Sequence, residues 1–240
     1  MIVDSRLKRY QRDFDYSYAF GVFAALELLS YRPADALRIV VSSKGERNEG
    51  VAKLRARAAE LNIPLEVNDQ IIERVAPKES HLALAVFRKY QTRLDPARNH
   101  VALVNPADMG NLGTIARAMI GFGFDQLALI RPAADLLDPK AIRASMGAIF
   151  QLAFAYFDSF EAYQSGYPRS FYPLMTDGAA SIHDAHFSPP YALIFGNESS
   201  GLPDSFRAVG TSVSIPHSVR IDSLNLAVAV GIALYECSKR

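Results

Sequence analysis

The chain has one cysteine, Cys237. An intrachain disulfide needs two, and a cysteine-built zinc site needs more than one, so both are excluded. The apolar-or-glycine run Leu226–Tyr235 holds ten residues, and a membrane-spanning helix needs about 20. The opening stretch MIVDSRLKRYQRDFDYS has no apolar core resembling a signal peptide. The expectation is a soluble, cytoplasmic protein with no membrane partner. Several active-site signatures are also missing. No Gly-x-Gly-x-x-Gly follows the first strand of the second half, and GFGFDQ (121–126) puts two glycines at the wrong end of a helix. No phosphate loop ending in Gly-Lys-Ser/Thr occurs, and no Gly-x-Ser-x-Gly elbow, so a hydrolase triad is poorly supported. His183 and His186 are three apart in a loop-like stretch without a third ligand, which argues against a metal.

What is present is a chain of 240 residues, half of them apolar. That suffices for one large domain or two modest ones. The net charge of +1 hides an asymmetry: residues 1–95 carry 16 Lys+Arg against 13 Asp+Glu, and residues 96–240 carry 10 against 12. A basic front half on an acidic back half suits a nucleic-acid arm on a catalytic body, although ordinary solvated faces give the same count.

The pattern divides near residue 95. Before it, YAFGVFAALELLSY (18–31) reads as a helix, and ALRIVVSS (36–43), IPLEV (63–67) and HLALAVF (81–87) read as strands. GVAKLRARAAELN (50–62) has Val51, Leu54 and Ala58 at helical spacing. YQTRLDPARNH (90–100) reads as a linker. From His100 strands and helices alternate, which predicts a mostly parallel α/β sheet covered on both faces. Ligands of such sheets collect beyond the carboxyl ends of the strands. The unusual residues fall there, in three stretches.

The first is NPADMGNLGTIARAMIGFG (105–123), a strand end, a glycine-punctuated turn and a helix. Ile115, Met119 and Phe122 share its core face, Arg117 points away, and Asn111 lies at its start. A capping asparagine with a surface arginine explains these positions as well as a functional pair does. The second is LIFGNESSGLP (193–203), in which an apolar strand runs into Gly196, Asn197 and Glu198. Glu198 could bind a cation, accept from a hydroxyl or cap a helix. The third is IPHSVRIDSLNLAVAVGIALYE (215–236), where a helix apolar on every face must be buried on every face, in a core and in a subunit interface. Asp222 or Ser223 is a ready N-cap, while Asn225 falls inside the first turn and needs partners of its own.

Together these stretches resemble, in order and at matching spacing over about residues 100–237, the three signature motifs of the SpoU/TrmH family of RNA ribose methyltransferases, within the SPOUT superfamily. KAIRASMGAI (140–149) matches a further family stretch. The resemblance implies a trefoil-knotted, mostly parallel α/β domain over residues 96–240, preceded by a small α/β RNA-binding domain over 1–95. It implies S-adenosylmethionine as cofactor, held by backbone around Gly196, Ile215 and Leu224, and no metal. It places the polar active-site set on Asn111, Arg117, Glu198, Ser223 and Asn225. It implies a homodimer that methylates a ribose 2′-hydroxyl of RNA, with rRNA as the expected substrate, tRNA as the alternative, and an inactive RNA-binding paralogue as the reading from another class. Two departures bear on the RNA target: His217 stands where the family has methionine, and ESHLALAV stands where rRNA-type members carry His-Gln-Gly.

Overall fold

Residues 18–31, read from the sequence as one helix, contain the end of a strand and a helix. Gly21, at φ 91, is a conformation that a side chain disfavours, and it divides Tyr16–Phe20 from Val22–Tyr31. Tyr16, Tyr18 and Phe20 alternate along the strand and so share one face. Their rings form a row, Tyr16 edge-on to Tyr18 and Tyr18 stacked on Phe20, both at 5.6 Å between centroids, with Phe14 at one end and His81 at the other. The computed structural model describes residues 7–76 and 81–239. Residues 1–6 of the opening stretch, and Glu79 and Ser80 of ESHLALAV, lie outside the described residues.

In chain order the first elements are β1 (Tyr16–Phe20), α1 (Val22–Tyr31), β2 (Ala36–Val41), α2 (Glu49–Glu60), β3 (Leu65–Val67), α3 (Asp69–Val75) and β4 (Ala83–Arg88). They are followed by β5 (His100–Val104), α4 (Met109–Gly121), β6 (Gln126–Ile130), α5 (Pro139–Ala144), β7 (Ala153–Phe157) and α6 (Phe160–Gly166). The last are β8 (Ser170–Pro173), β9 (Ala180–Ser181), β10 (Tyr191–Phe195), β11 (Val213–Ser214) and α7 (Leu226–Ser238). None of the described helices is long and apolar enough to cross a membrane.

The contacts divide the chain into two compact units. One comprises residues 1–90 with 135–150, the other residues 91–134 with 151–240. The first has a four-stranded sheet, β1-β4-β2-β3, antiparallel except for the β2–β3 pair. One face buries Tyr18, Val40, Leu84 and Val86 against Ile71, Ile72 and Val75 of α3. The predicted stripe Val51, Leu54 and Ala58 of α2 is buried as expected, and Asn48 caps that helix by accepting from the Val51 N–H at 3.1 Å.

The segment 135–150 clusters with residues 1–90 rather than with its neighbours in sequence. Its Ala141, Ile142, Ile149 and Phe150 are buried in the first unit, with the Phe150 ring edge-on to Phe87 at 5.3 Å. The Ser17 hydroxyl donates to the Leu137 carbonyl at 2.6 Å, and Lys89 pairs with Asp135 at 2.8 Å. Such pairing is long-range and leaves no local mark in the sequence. The stretch 90–100 is likewise no free linker. Leu94 is buried, and the Thr92 N–H donates to the Phe154 carbonyl at 2.9 Å.

The second unit has a five-stranded sheet in the order β7-β6-β5-β10-β8, parallel throughout. QLALI of β6 and YALIF of β10 are buried along their whole length, as a sheet covered on both faces requires. The chain builds outward from β5 through β6 and β7, then returns to the other side of β5 for β10 and β8. The order therefore reverses between β5 and β10, and a crevice opens beyond their carboxyl ends.

His100 opens β5 and is fully buried. Its Nε2 lies 2.8 Å from the Asp95 carbonyl, which can only accept, so Nε2 carries the proton and Nδ1 accepts from the Tyr163 hydroxyl at 2.9 Å. Burial pushes its pKa down to about 4. The unfolded chain, with an imidazole near 6.5, then binds the extra proton between the two values. Stability from this group is unaffected above pH 6.5 and falls as pH drops toward 4, by about 3 kcal/mol in all. Urea titrations from pH 7.5 to 4.5 are expected to show this slope, and His100→Gln is expected to remove it; an unchanged slope in the variant contradicts the assignment.

Candidate active site

The loops leaving β5 and β10 are tied together at the reversal point. Asn105 takes a left-handed conformation, φ 55, which asparagine tolerates better than most residues, and its carbonyl accepts from Asn197 Nδ2 at 2.8 Å. Asp108 then caps α4, its carboxylate accepting from the Asn111 N–H at 2.7 Å. The α4 cap is thus Asp108, and Asn111 stands one turn inside with its side chain free for another purpose.

That side chain joins the three sequence stretches. Asn111 Nδ2 donates to Glu198 Oε1 at 3.4 Å, and Asn111 Oδ1 accepts from Asn225 Nδ2 at 3.2 Å. Glu198 also accepts from the backbone N–H groups of Ala107 and Asp108, both at 3.1 Å. A carboxylate held just ahead of a helix start sits where orphan amides and the helix dipole favour negative charge. Asn225 caps α7, its Oδ1 accepting from the Ala227 and Val228 N–H groups at 2.9 and 3.3 Å. The expected cap at Asp222 or Ser223 is therefore replaced by Asn225, which sits ahead of the first turn rather than inside it.

Beside this network lies a cavity of about 490 Å³. Gly196, Ile215 and Leu224 all line it, as do Glu198, Ser223 and His217. Leu174 to Asp177 line it as well. Gly196 has no room for a side chain, since an added Cβ would lie 2.1 Å from the Gly201 carbonyl carbon and 2.3 Å from the Leu202 nitrogen. His217 Nδ1 is 2.8 Å from the Ile215 carbonyl, so it donates there. Arg207 pairs with Asp177 at 2.6 Å, and that hydrogen bond holds the Asp177 carboxyl below its usual pKa.

The sequence model of the SpoU rRNA methylase family matches residues 98–235, more than half of the chain. The chain belongs to this family. Among curated relatives, the 23S rRNA (uridine(2479)-2′-O)-methyltransferase of Streptomyces viridochromogenes is 33% identical over 144 residues, which cover 56% of this chain and 50% of the relative. The chain thus spans about half the length of that relative. The solved structure of the SpoU methyltransferase AviRb from the same organism, in complex with AdoMet, superposes with a TM-score of 0.79. It is 23% identical and covers 94% of this chain and 90% of that one. A structure described by 2-OH methylation of C/U34 on tRNA is 36% identical, with a TM-score of 0.56, over 60% of this chain and 97% of that one.

Within this SpoU fold, the sequence-predicted residues fall into three groups. Glu198, Asn111 and Asn225 are joined by hydrogen bonds. Gly196, Ile215, Leu224 and Ser223 line the cavity, which Glu198 also borders. Arg117 stands apart, exposed on α4, with no hydrogen bond or ion pair to any described residue. Sequence reasoning missed Asp108 and Asn197, the two residues that hold the loops in place. A signal existed in both cases. Asp108 stands just ahead of a helical repeat, and Asn197 follows a glycine at a strand end.

Asn225 both caps α7 and holds Asn111, and one substitution separates the roles. Asn225→Asp keeps the accepting oxygen at the helix start, where a carboxylate caps well, but removes the donor to Asn111 Oδ1. Its melting temperature is expected to stay within a degree or two of wild type. Methyl transfer is expected to fall at least about tenfold, or about 1.4 kcal/mol of transition-state stabilisation. Normal turnover would make Asn225 a cap alone. Asn225→Ala is expected to lose activity and also about 1 kcal/mol of stability.

Proposed function

We propose that the protein transfers a methyl group from S-adenosylmethionine to a ribose 2′-hydroxyl of RNA, with rRNA as substrate. The observation that carries this reading is the junction of the cavity with the Glu198–Asn111–Asn225 network at the carboxyl edge of the parallel sheet. The cavity suits the cofactor. It lies in the size range of small-molecule sites, and Gly196, packed too tightly against the Gly201–Leu202 backbone to carry a Cβ, forms part of its wall. Gly196, Ile215 and Leu224 would hold S-adenosylmethionine through backbone groups. The cofactor, when bound, supplies an electrophilic methyl group.

The remaining chemistry is assigned to this chain's side chains. A ribose hydroxyl is a weak nucleophile; as its oxygen takes the methyl its proton passes to solvent water, and alignment of the ribose is what this chain's residues supply. The Arg117 guanidinium presents donors only and is suited to holding an RNA phosphate beside the reacting ribose. Asn111, fixed from both sides, orients the ribose together with Asn225, while Glu198 locks the two loops and Ser223 contacts the substrate from the cavity rim.

The reading includes a homodimer and a knotted domain in a cytoplasmic enzyme. Val228 and Tyr235 of α7 are about half exposed in the single chain although they belong to an all-apolar run, which supports a covering subunit. The test is transfer from methyl-labelled S-adenosylmethionine to purified rRNA and tRNA, with digestion to nucleosides and mass spectrometry. 2′-O-methyl nucleosides from rRNA support the proposal, and from tRNA they move the substrate class. Base methylation or no transfer to either sinks it.

A further inference from the structure

The aromatic row on β1 ends at a second cavity that the methyl-transfer reading does not use. This cavity, about 540 Å³, lies wholly within the first unit. It is lined by residues 20–24, which include Phe20 and Phe23, and by His81, Arg143 and Met146. Phe20 and His81 stack with centroids 5.0 Å apart and planes at 15°. Phe23 is 55% exposed and Met146 45%, an unusual outlay of apolar surface around one opening.

The far side is held in an uncommon conformation. Met146 has φ 54, which disfavours a side chain, and it is followed by Gly147 at φ 84. Beneath them Ser145 is fully buried, its hydroxyl donating to the Ile142 carbonyl at 2.8 Å and accepting from the Gly147 N–H at 3.2 Å. The turn thus brings Met146, and the end of α5 the exposed Arg143, to the same cavity as the aromatic residues. Backbone strain that projects an apolar side chain into water is more common at ligand clamps than elsewhere.

Resting on the proposed RNA methyltransferase function, we propose that this cavity docks an unpaired base of the RNA substrate, with Arg143 on its adjoining phosphate. An exposed ring such as that of Phe23, at a cavity that a guanidinium also lines, is the chemistry by which single-stranded nucleic acid is held without sequence readout. The charge agrees, since residues 1–95 carry the chain's basic excess, and residues 135–150, with Lys140 and Arg143 against Asp135 and Asp138, leave it unchanged. The site explains why residues 135–150, which interrupt the second unit's sequence, fold into the first. They supply the second wall of the clamp.

The test uses the full-length protein and a fluorescein-labelled, single-stranded RNA of mixed sequence. Phe23→Ala is expected to weaken binding about tenfold. Phe23→Tyr keeps a stacking face and is expected to bind as wild type does. Arg143→Ala is expected to weaken binding and to lower the slope of log affinity against log salt by about one. S-adenosylmethionine binding, measured by calorimetry, and the melting temperature are expected to remain unchanged in all three, since the cofactor cavity is built from other residues. Unchanged RNA affinity in Phe23→Ala and Arg143→Ala overturns the docking site while leaving the methyltransferase reading in place. So does a wild-type protein that binds the cofactor but not the RNA probe. Failure of the wild type to bind S-adenosylmethionine overturns the methyltransferase reading, and the docking proposal with it.

Discussion

Gly196→Ala is expected to abolish S-adenosylmethionine binding and to lower the melting temperature by several degrees. The added Cβ would meet three backbone atoms, the carbonyl carbon and oxygen of Gly201 at 2.1 and 2.3 Å and the nitrogen of Leu202 at 2.3 Å. Backbone cannot rotate away as a flexible side chain can. This backbone is also tied down. The Gly201 N–H donates to the Asn197 carbonyl at 2.9 Å, and Asn197 Oδ1 accepts from the Ser199 and Ser200 N–H groups at 2.8 and 3.3 Å. Opening the turn would release those bonds and move Glu198 within it. Overpacking of this kind costs about 1–3 kcal/mol or more. Gly121→Ala is the control: it is helical, nothing lies within 4 Å of its added Cβ, and it is expected to be neutral or slightly stabilising. Thermal melts and calorimetric titration with S-adenosylmethionine check both. Tight cofactor binding by Gly196→Ala would show that the loop yields and that its backbone is not the cofactor's support.

Arg117→Ala is expected to leave folding and cofactor affinity intact while lowering single-turnover methylation about 100-fold or more, the scale of losing a positioned catalytic group. Arg117 is exposed on the flank of α4 away from buried Ile115, Ala116 and Met119, so its removal opens no cavity. A charged side chain without a partner among the described residues is available to an incoming anion. Arg117→Lys separates two ways of holding a phosphate. If the planar fork matters, as in two-point contact with a phosphate, lysine restores only a small part of the rate; if a point charge suffices, it restores most of it. Near-normal turnover in Arg117→Ala removes this residue from the site altogether.

The site was more legible in the sequence than the fold around it. Gly196, Glu198, Asn111 and Asn225 are unusual residues at strand ends and helix starts, and such positions are set by local chemistry that survives in a linear string. Their partners were less legible. Whether Asp108 or Asn111 caps α4, and whether Asp222, Ser223 or Asn225 caps α7, depends on which residue first leaves helical dihedrals, and all of them have capping side chains. The strand β1 was hidden because its aromatics run straight into an apolar helix, with Gly21 the only break. The parallel sheet was readable from alternation of elements, but its β7-β6-β5-β10-β8 order was not, since strand order is decided by long-range packing.

The inclusion of residues 135–150 in the first unit has a consequence for synthesis on the ribosome. The chain passes from one unit to the other at 90/91, again at 134/135 and again at 150/151. The first unit therefore cannot finish folding when its last strand emerges. It must wait for residue 150, about 3 to 12 s later at ordinary elongation speeds, and by then β5, α4 and β6 have already appeared. During that interval Phe87 and its neighbours lack their Phe150 cover. The nascent chain then carries two incomplete units at once, and a stalled or truncated product ending before residue 150 is a substrate for chaperones and proteases rather than a folded fragment.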